Sequence, residues 1–225
     1  MTNYHPRFII AYLLWKSELS KYVTFRRGGI KFNFSKSVLA LNMFANKAYV
    51  QYDFGLLDRF LHKNETFIDI GANIGTFTLY ASKLVCKEGK VLSFEPHPKF
   101  YNFMLGNIKL NGFQNIDYHN VGLSSENSEL YFSENLDSMN HILTQQSNDS
   151  IKVKVHKLDD YTEVYKIIDL IKIDIEGYEL FCLKGALGTL KKTRKVIFES
   201  NNCFSQYFGY STFDIIRYLN NLSFE

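Results

Sequence analysis

Apolar and polar positions change period several times along this chain of 225 residues. Phe8 to Trp15 form an apolar run closed by Lys16 and predict a first helix. Gly28-Gly29 marks a turn, after which Ile30, Phe32 and Phe34 alternate with polar residues as a short strand does. Phe54, Leu56, Leu57, Phe60 and Leu61 share one face of an amphipathic helix running from Tyr52 to Leu61. From Phe67 the pattern alternates between strand and helix: strand to Ile70, helix from about Ile74 to Cys86, strand Val91 to Phe94, helix from about Lys99 to Leu110. Asn111-Gly112 stops that helix as a left-handed cap, and Ile116 to Val121 reads as the next strand.

Residues 122 to 150 break the alternation, being rich in Ser, Asn and Glu around the short run Leu130-Tyr131-Phe132. They read as a long functional or disordered loop able to carry substrate contacts, with Ser138 and His141 its most interesting polar residues. Val153, Val155 and Leu158 then alternate as a strand. Leu170 to Ile175 is the fourth main strand, Glu179 to Leu190 its helix, Val196 to Phe198 the fifth strand, and a last helix runs from about Thr212 to Leu219. The expectation is an α/β fold: a mostly parallel, Rossmann-like sheet with helices on both faces, right-handed crossovers and ligands at the carboxyl ends of the strands. Residues 1–50 read as an N-terminal helix-and-strand extension and residues 51–225 as one domain.

Composition narrows the function classes. Hydrophobic content of 46% and charged content of 22% suit a globular domain, and a net charge of +3 is too small to predict nucleic-acid binding. The basic run Lys191, Lys192, Arg194 and Lys195 reads as a solvated helix end. Three dispersed cysteines, Cys86, Cys182 and Cys203, fit neither a zinc spacing nor a disulfide framework and suggest a cytoplasmic setting. The apolar run from Phe8 to Trp15 is far short of the about 20 residues that cross a bilayer. It reads as a helix packed on the domain, with contact to a membrane surface as the alternative.

The chemistry concentrates in Phe67-Ile-Asp-Ile-Gly-Ala-Asn-Ile-Gly75, a strand running into a glycine-punctuated turn and a helix. Gly71 and Gly75 stand at i and i+4, whereas a dinucleotide fingerprint needs glycines at i, i+2 and i+5, and Thr76 occupies that last place. Asp69 would repel phosphates and suit a cationic group, and Asn73 tolerates the left-handed region. S-adenosylmethionine carries an ammonium, a sulfonium and no phosphate. Glu95, followed by Pro96 at the end of the second strand of the alternation, lies where such folds place an acid on a ribose.

These segments, with Phe94-Glu95-Pro96-His97-Pro98, Leu158-Asp159-Asp160, Ile171-Lys-Ile-Asp-Ile-Glu-Gly-Tyr-Glu179, Leu183-Lys184-Gly185-Ala186 and Phe198-Glu199, resemble the FkbM-type methyltransferases over about residues 52 to 222. The resemblance implies a class I methyltransferase fold and S-adenosylmethionine-dependent O-methylation of a sugar, glycan or small metabolite. It implies that Asp69, Gly71, Ala72, Asn73 and Gly75 line the methionine side of the cofactor, and that Glu95 and Pro96 sit at its ribose. That fold normally ends in two further strands at one edge. Here Leu222-Ser223-Phe224 alone remains, so a missing C-terminal edge is expected.

Methyl transfer to a hydroxyl needs alignment of the oxygen and removal of a proton, which carboxylates at strand ends supply. Asp174 is expected to position the acceptor and serve as base, with Glu176 pointing the same way if its strand persists that far and Glu199 as a third candidate. Carboxylate oxygens suit magnesium, so a divalent ion bridging these three acids is compatible with the pattern, although no motif requires one. Competing readings are a nicotinamide-dependent oxidoreductase, an RNA methyltransferase and a non-catalytic binding module.

Overall fold

The computed structural model describes residues 6–134, 137, 140–143, 145–200 and 202–224, Asn202 by its backbone alone; Ser138 lies outside them. The first elements are α1 (Pro6–Lys16) and a 3-10 turn at Glu18–Tyr22. Next, β1 (Thr24–Arg27) and β2 (Ile30–Asn33) pair antiparallel. Gly28 and Gly29 both adopt positive φ, 55° and 83°, the two-residue turn whose twist matches a hairpin. Then come α2 (Val38–Ala45), capped by the Ser37 hydroxyl accepting from the Ala40 N–H, and α3 (Gln51–Phe60). The apolar pattern predicts α1, β2 and α3. It misses β1 and α2, both short: β1 has one apolar residue, Phe25, and α2 is apolar at every position but Asn42, so neither shows a period.

The main sheet is built from β3 (Thr66–Ile70), β4 (Lys90–Phe94) and β5 (Ile116–His119), joined by α4 (Thr76–Val85) and α5 (Pro98–Asn111). Residues 122–150, expected to be a loop, fold instead into β6 (Gly122–Leu123), β7 (Ser128–Ser133) and β8 (Ile142–Leu143), and the strand expected around Val153 and Val155 is β9 (Ser150–His156). These form a second sheet in the order β6-β9-β7-β8, with β7 and β9 in register from Ser128↔Val155 to Ser133↔Ser150. The loop reading fails because polar residues dominate the composition of this segment, with Ser128 and Glu129 on the exposed side. Phe132, Ile142, Val153 and Val155 make the inward face, packed on Tyr178.

The rest of the chain forms α6 (Asp159–Thr162), β10 (Leu170–Ile173), α7 (Glu179–Lys184), α8 (Leu187–Leu190), β11 (Val196–Phe198), α9 (Asn202–Tyr207) and α10 (Thr212–Asn220). The helix predicted over residues 179–190 is split in two at Gly185. A Cβ there would stand 1.9 Å from the Ser124 carbonyl oxygen, so the second sheet presses directly on this backbone. The main sheet is wholly parallel, in the order β11-β10-β3-β4-β5. After β11 the described residues form two helices and no strand.

Alternation along the strands separates the core into two layers. Phe67, Val91 and Leu170 face α4, α5 and the extension, and Ile68, Ile70, Leu92 and Ile171 face α7, α8 and α10. The extension is stitched to the first layer. Asn107 and Asn111 of α5 accept from the Asn33 and Lys31 N–H groups at 2.8 and 3.0 Å, closing the free edge of β2.

Candidate functional site

Each strand's hydrogen-bond ladder runs one step past its last residue and fixes the loop that follows. Gly71 and Ala72 donate to the Phe94 carbonyl, Glu95 to His119, Asp174 to Ile70 and Glu199 to Ile173, at 2.9 to 3.1 Å. The carboxyl ends of β3, β4, β10 and β11 thereby border one cleft of about 360 Å³. Its floor is Gly71, Ala72, Asn73, Glu95 and Pro96; one wall is Lys172, Asp174, Ile175, Glu176 and Glu199. Leu39, Tyr49, Val50 and Asp53 close it from the extension and α3, with Phe132 and Asn140 coming from the second sheet.

Gly71, at φ 78°, is required for a reason other than ligand approach. A Cβ there would meet the Asp174 carbonyl oxygen at 1.9 Å, so the loop after β3 passes directly against the exit of β10. Asn73 adopts the left-handed conformation expected of it, at φ 51°. Gly75 caps α4 at φ 86°, where a Cβ would press on Met104; it supports the loop and does not line the cleft.

Asp69 also stands below the cleft. It is fully buried, and its position in register between Lys172 of β10 and Ser93 of β4 makes a polar row across three apolar strands. Thr78 of α4 donates to Asp69 Oδ2 at 2.6 Å and shares a hydrogen bond with Ser93 Oγ at 2.9 Å. Lys172 Nζ lies 3.4 Å from Asp69 Oδ1, 3.3 Å from Asp174 Oδ2, and donates to the Gly71 carbonyl at 3.0 Å. The Asp69 charge is thus answered from within the protein. Lys172 carries it to the cleft as a link between the β3 loop and Asp174. Burial alone would depress the Lys172 ammonium, but the two carboxylates outweigh it and raise it above the ordinary lysine value. A lysine inside an otherwise apolar central strand was the signal for this residue, and its place in the motif Ile171 to Glu179 gave it no role.

Glu95 is buried, with Oε2 accepting from the Asn73 N–H at 2.8 Å and Oε1 from the His97 N–H at 2.9 Å. Burial pushes its carboxyl up to about 7, with those two N–H groups opposing. Each oxygen keeps a lone pair for a donor arriving in the cleft.

Asp174, Glu176 and Glu199 converge, each offering an oxygen within 4.8 Å of the others. The pleat does not bring Glu176 there, because β10 stops at Ile173; a turn does, with Glu176 at φ 51° and Gly177 at φ 91°. That turn is clamped from behind. Buried Glu179 accepts from the Gly177 N–H at 3.0 Å, and the Tyr210 hydroxyl lies 2.7 Å from the Gly177 carbonyl and 3.0 Å from Glu179 Oε2. Glu199 shares a hydrogen bond with Asp174, and that bond, with the neighbouring charge, pushes Glu199 up to about 8. Burial would raise Asp174, yet Lys172 and Glu199 together hold it below the usual carboxylate range. Burial and the Asp174 charge lift Glu176 to about 7. The Lys172 ammonium and the hydrogen bond between Asp174 and Glu199 offset part of the repulsion among the three acids.

His141 does not line the cleft; its ring packs 5.1 Å from that of Phe204. Asp159, from the motif Leu158-Asp159-Asp160, is a helix cap, accepting from the Gly188 and Thr189 N–H groups and the Thr189 hydroxyl at 2.6 to 2.9 Å. Cys182 is fully buried and its thiol is pushed up by burial, consistent with core filling.

The residues present fit S-adenosylmethionine: a carboxylate-lined cleft suits a cation, and Glu95 keeps acceptor capacity beside a backbone loop. Comparison with known protein families points the same way. A family model described as the methyltransferase FkbM domain matches residues 69–225. Methyltransferase 1 of Beauveria bassiana is 30% identical, over 52% of this chain and 57% of that one. The hexuronic acid methyltransferase AglP of Haloferax volcanii is 27% identical, over 61% of this chain and 56% of that one. The chain thus spans less than two thirds of the length of these curated relatives. Among solved structures, precorrin-6y C5,15-methyltransferase from Geobacter metallireducens superposes with a TM-score of 0.48 at 13% identity, over 78% of this chain and 72% of that one. With the family match running from Asp69 through every strand-end loop of the cleft floor and wall, the chain belongs to the methyltransferase FkbM domain family.

Proposed function

We propose that this chain is an S-adenosylmethionine-dependent methyltransferase acting on a hydroxyl of a sugar, glycan or small metabolite. The observation that carries the reading is the cleft itself: Glu95, held at both oxygens by backbone N–H groups, faces the Asp174, Glu176 and Glu199 cluster across a loop fixed by Lys172. When bound, the cofactor supplies a methyl group on a sulfonium, open to attack by an oxygen nucleophile. Glu95 accepts from the ribose hydroxyls, and the Gly71-to-Asn73 backbone packs along the methionine portion. Asp174, ionised and anchored by Lys172, orients the acceptor hydroxyl. Glu176, its carboxyl raised to about 7, takes the hydroxyl proton, while Glu199 holds its own proton toward Asp174 and keeps that carboxylate in place.

Asp53, Asp174, Glu176 and Glu199 give the cleft a negative lining, and among the described residues its one basic side chain, Lys172, is committed to Asp69 and Asp174. This favours an uncharged hydroxyl-bearing acceptor over a uronic acid. AglP, by its name a hexuronic acid methyltransferase, supports sugars as an acceptor class within the wider family. The test is transfer of label from methyl-labelled cofactor to a panel of neutral sugars, uronic acids, polyols and amines. Label in a neutral hydroxyl supports the proposal; label confined to amines or carboxylates refutes it. A chelator added to the same assay is expected to leave the rate unchanged.

A further inference from the structure

The helix α1 is apolar on two opposite faces. Its inner face packs on α2, with Ala11 fully buried beside Phe34 and Ala45. At 100° per residue, Ile9, Tyr12, Leu13 and Lys16 fall together on the outer face, which no apolar side chain among the described residues buries. Ile9, Tyr12 and Leu13, and beyond them Leu19 and Tyr22, are between 52 and 76% exposed. A helix hydrophobic all round is ordinarily buried or in lipid. With 11 residues, α1 is about 16 Å long and cannot cross a hydrocarbon core of about 30 Å, so what is left is a position flat in an interface.

Charge selects the occupant. Residues 1–50 hold eight Lys and Arg and a single acid, Glu18, whereas the other 175 residues hold 18 basic and 22 acidic side chains. Glu18 is already paired with Lys36 at 2.8 Å, which leaves Lys16 at the end of α1, and Lys21 and Arg26 in the segment that follows it, exposed. The Lys16 ammonium lies over the Tyr12 and Trp15 rings, and Lys21 over Tyr22, at 5.3 to 5.7 Å. Aliphatic side chains bordered by aromatic rings and ammonium groups match the acyl-to-headgroup boundary of a bilayer. A second copy of this chain would bring a like positive surface against this one, and a nucleic acid would leave Ile9 and Leu13 unsatisfied.

We propose that the outer face of α1 docks this protein on an anionic lipid surface, with Ile9, Leu13 and Tyr12 inserted among the acyl chains and Lys16, Lys21 and Arg26 on the headgroups. Docking does not depend on the methyl-transfer reading, since it uses no residue of the cleft. The test is co-sedimentation of the full chain with vesicles of phosphatidylcholine, with and without phosphatidylglycerol. Binding is expected to the anionic vesicles and to fall steeply with salt. Lys16→Glu/Lys21→Glu/Arg26→Glu should weaken it roughly 100-fold, at about fivefold or more per reversed charge. Ile9→Glu/Leu13→Glu, at solvent-facing positions, should abolish it while the melting temperature and cofactor binding stay at the parent values. Failure of the parent chain to sediment with anionic vesicles would overturn the proposal. So would equal binding to both vesicle types, or a parent dimer in light scattering that Ile9→Glu/Leu13→Glu converts to monomer.

Discussion

Replacing Lys172 by methionine tests whether the cleft is held together from below. Methionine keeps most of the stem volume and removes the ammonium that touches Asp69, Asp174 and the Gly71 carbonyl. The cost falls unequally on the two acids. The Asp174 side chain is 37% exposed and can recover water, whereas Asp69 is fully buried and would keep one strong partner, the Thr78 hydroxyl. Removing one partner of a buried pair costs about 3–5 kcal/mol, and the solvation open to Asp174 puts this case near the lower end, about 3 kcal/mol. For a domain of this size that corresponds to a fall in Tm of about 6–12 °C. The assay is thermal unfolding followed by circular dichroism on the parent, Lys172→Met, and Lys172→Met/Asp69→Asn. The second change removes the stranded charge and keeps a group that Thr78 can bond, so it should restore a large part of the loss even though it alters a second motif residue. A Lys172→Met variant within about 1 kcal/mol of the parent, or a double variant no more stable than the single one, would refute the reasoning.

Three further outcomes follow from the site. Glu95 is raised to about 7 in the free protein, and donors from a bound ribose favour its ionised form, so cofactor affinity should drop by up to about tenfold per pH unit below 7. In Glu95→Gln the affinity should be lower and this pH dependence gone; an unchanged slope by calorimetry would remove Glu95 from the account. Because that raised value also means the folded chain binds the proton more tightly than the unfolded one, the Glu95 contribution to stability is full below about 4.5 and is lost as pH rises through 7. Asp174→Asn should lower kcat at least about 100-fold with a smaller change in cofactor affinity, and a variant with full turnover would end its assigned duty. Asp159→Ala, which strips the cap from α8, should cost about 0.5–2 kcal/mol in denaturant unfolding and leave turnover intact; a lost rate with unchanged stability would mean its motif has a chemical role.

Much of the main sheet was legible because its strands are buried on both faces and read as apolar runs between helical periods: β3, β4, β10 and β11 lie within two residues of where the pattern puts them. In the second sheet β9 was legible from the alternation of Val153 and Val155, but β6, β7 and β8 were not, since polar residues dominate their segment and the pairing of Ser128 with Val155 is a contact at long sequence separation. At the site, the strand-end position of Glu95, Asp174 and Glu199 was readable from where each apolar run stops. Two things were hidden. Asp69 lies on the Phe67 side of β3, facing α4, and its charge is answered there by Thr78 and by Lys172 from a strand far along the chain, a pairing that no local pattern reveals. Glu176 reaches the cluster through a left-handed turn, not by strand alternation. The need for Gly71 was visible, but its cause, the Asp174 backbone from 103 positions later in the chain, was not.

The most direct test of the central claim is a calorimetric titration of the chain at pH 8, run in parallel with S-adenosylmethionine and with a nicotinamide dinucleotide. The expected result is saturable binding of the sulfonium cofactor, weakened in Glu95→Gln, and no heat from the dinucleotide. Saturable binding of the dinucleotide, with none of S-adenosylmethionine, would contradict it.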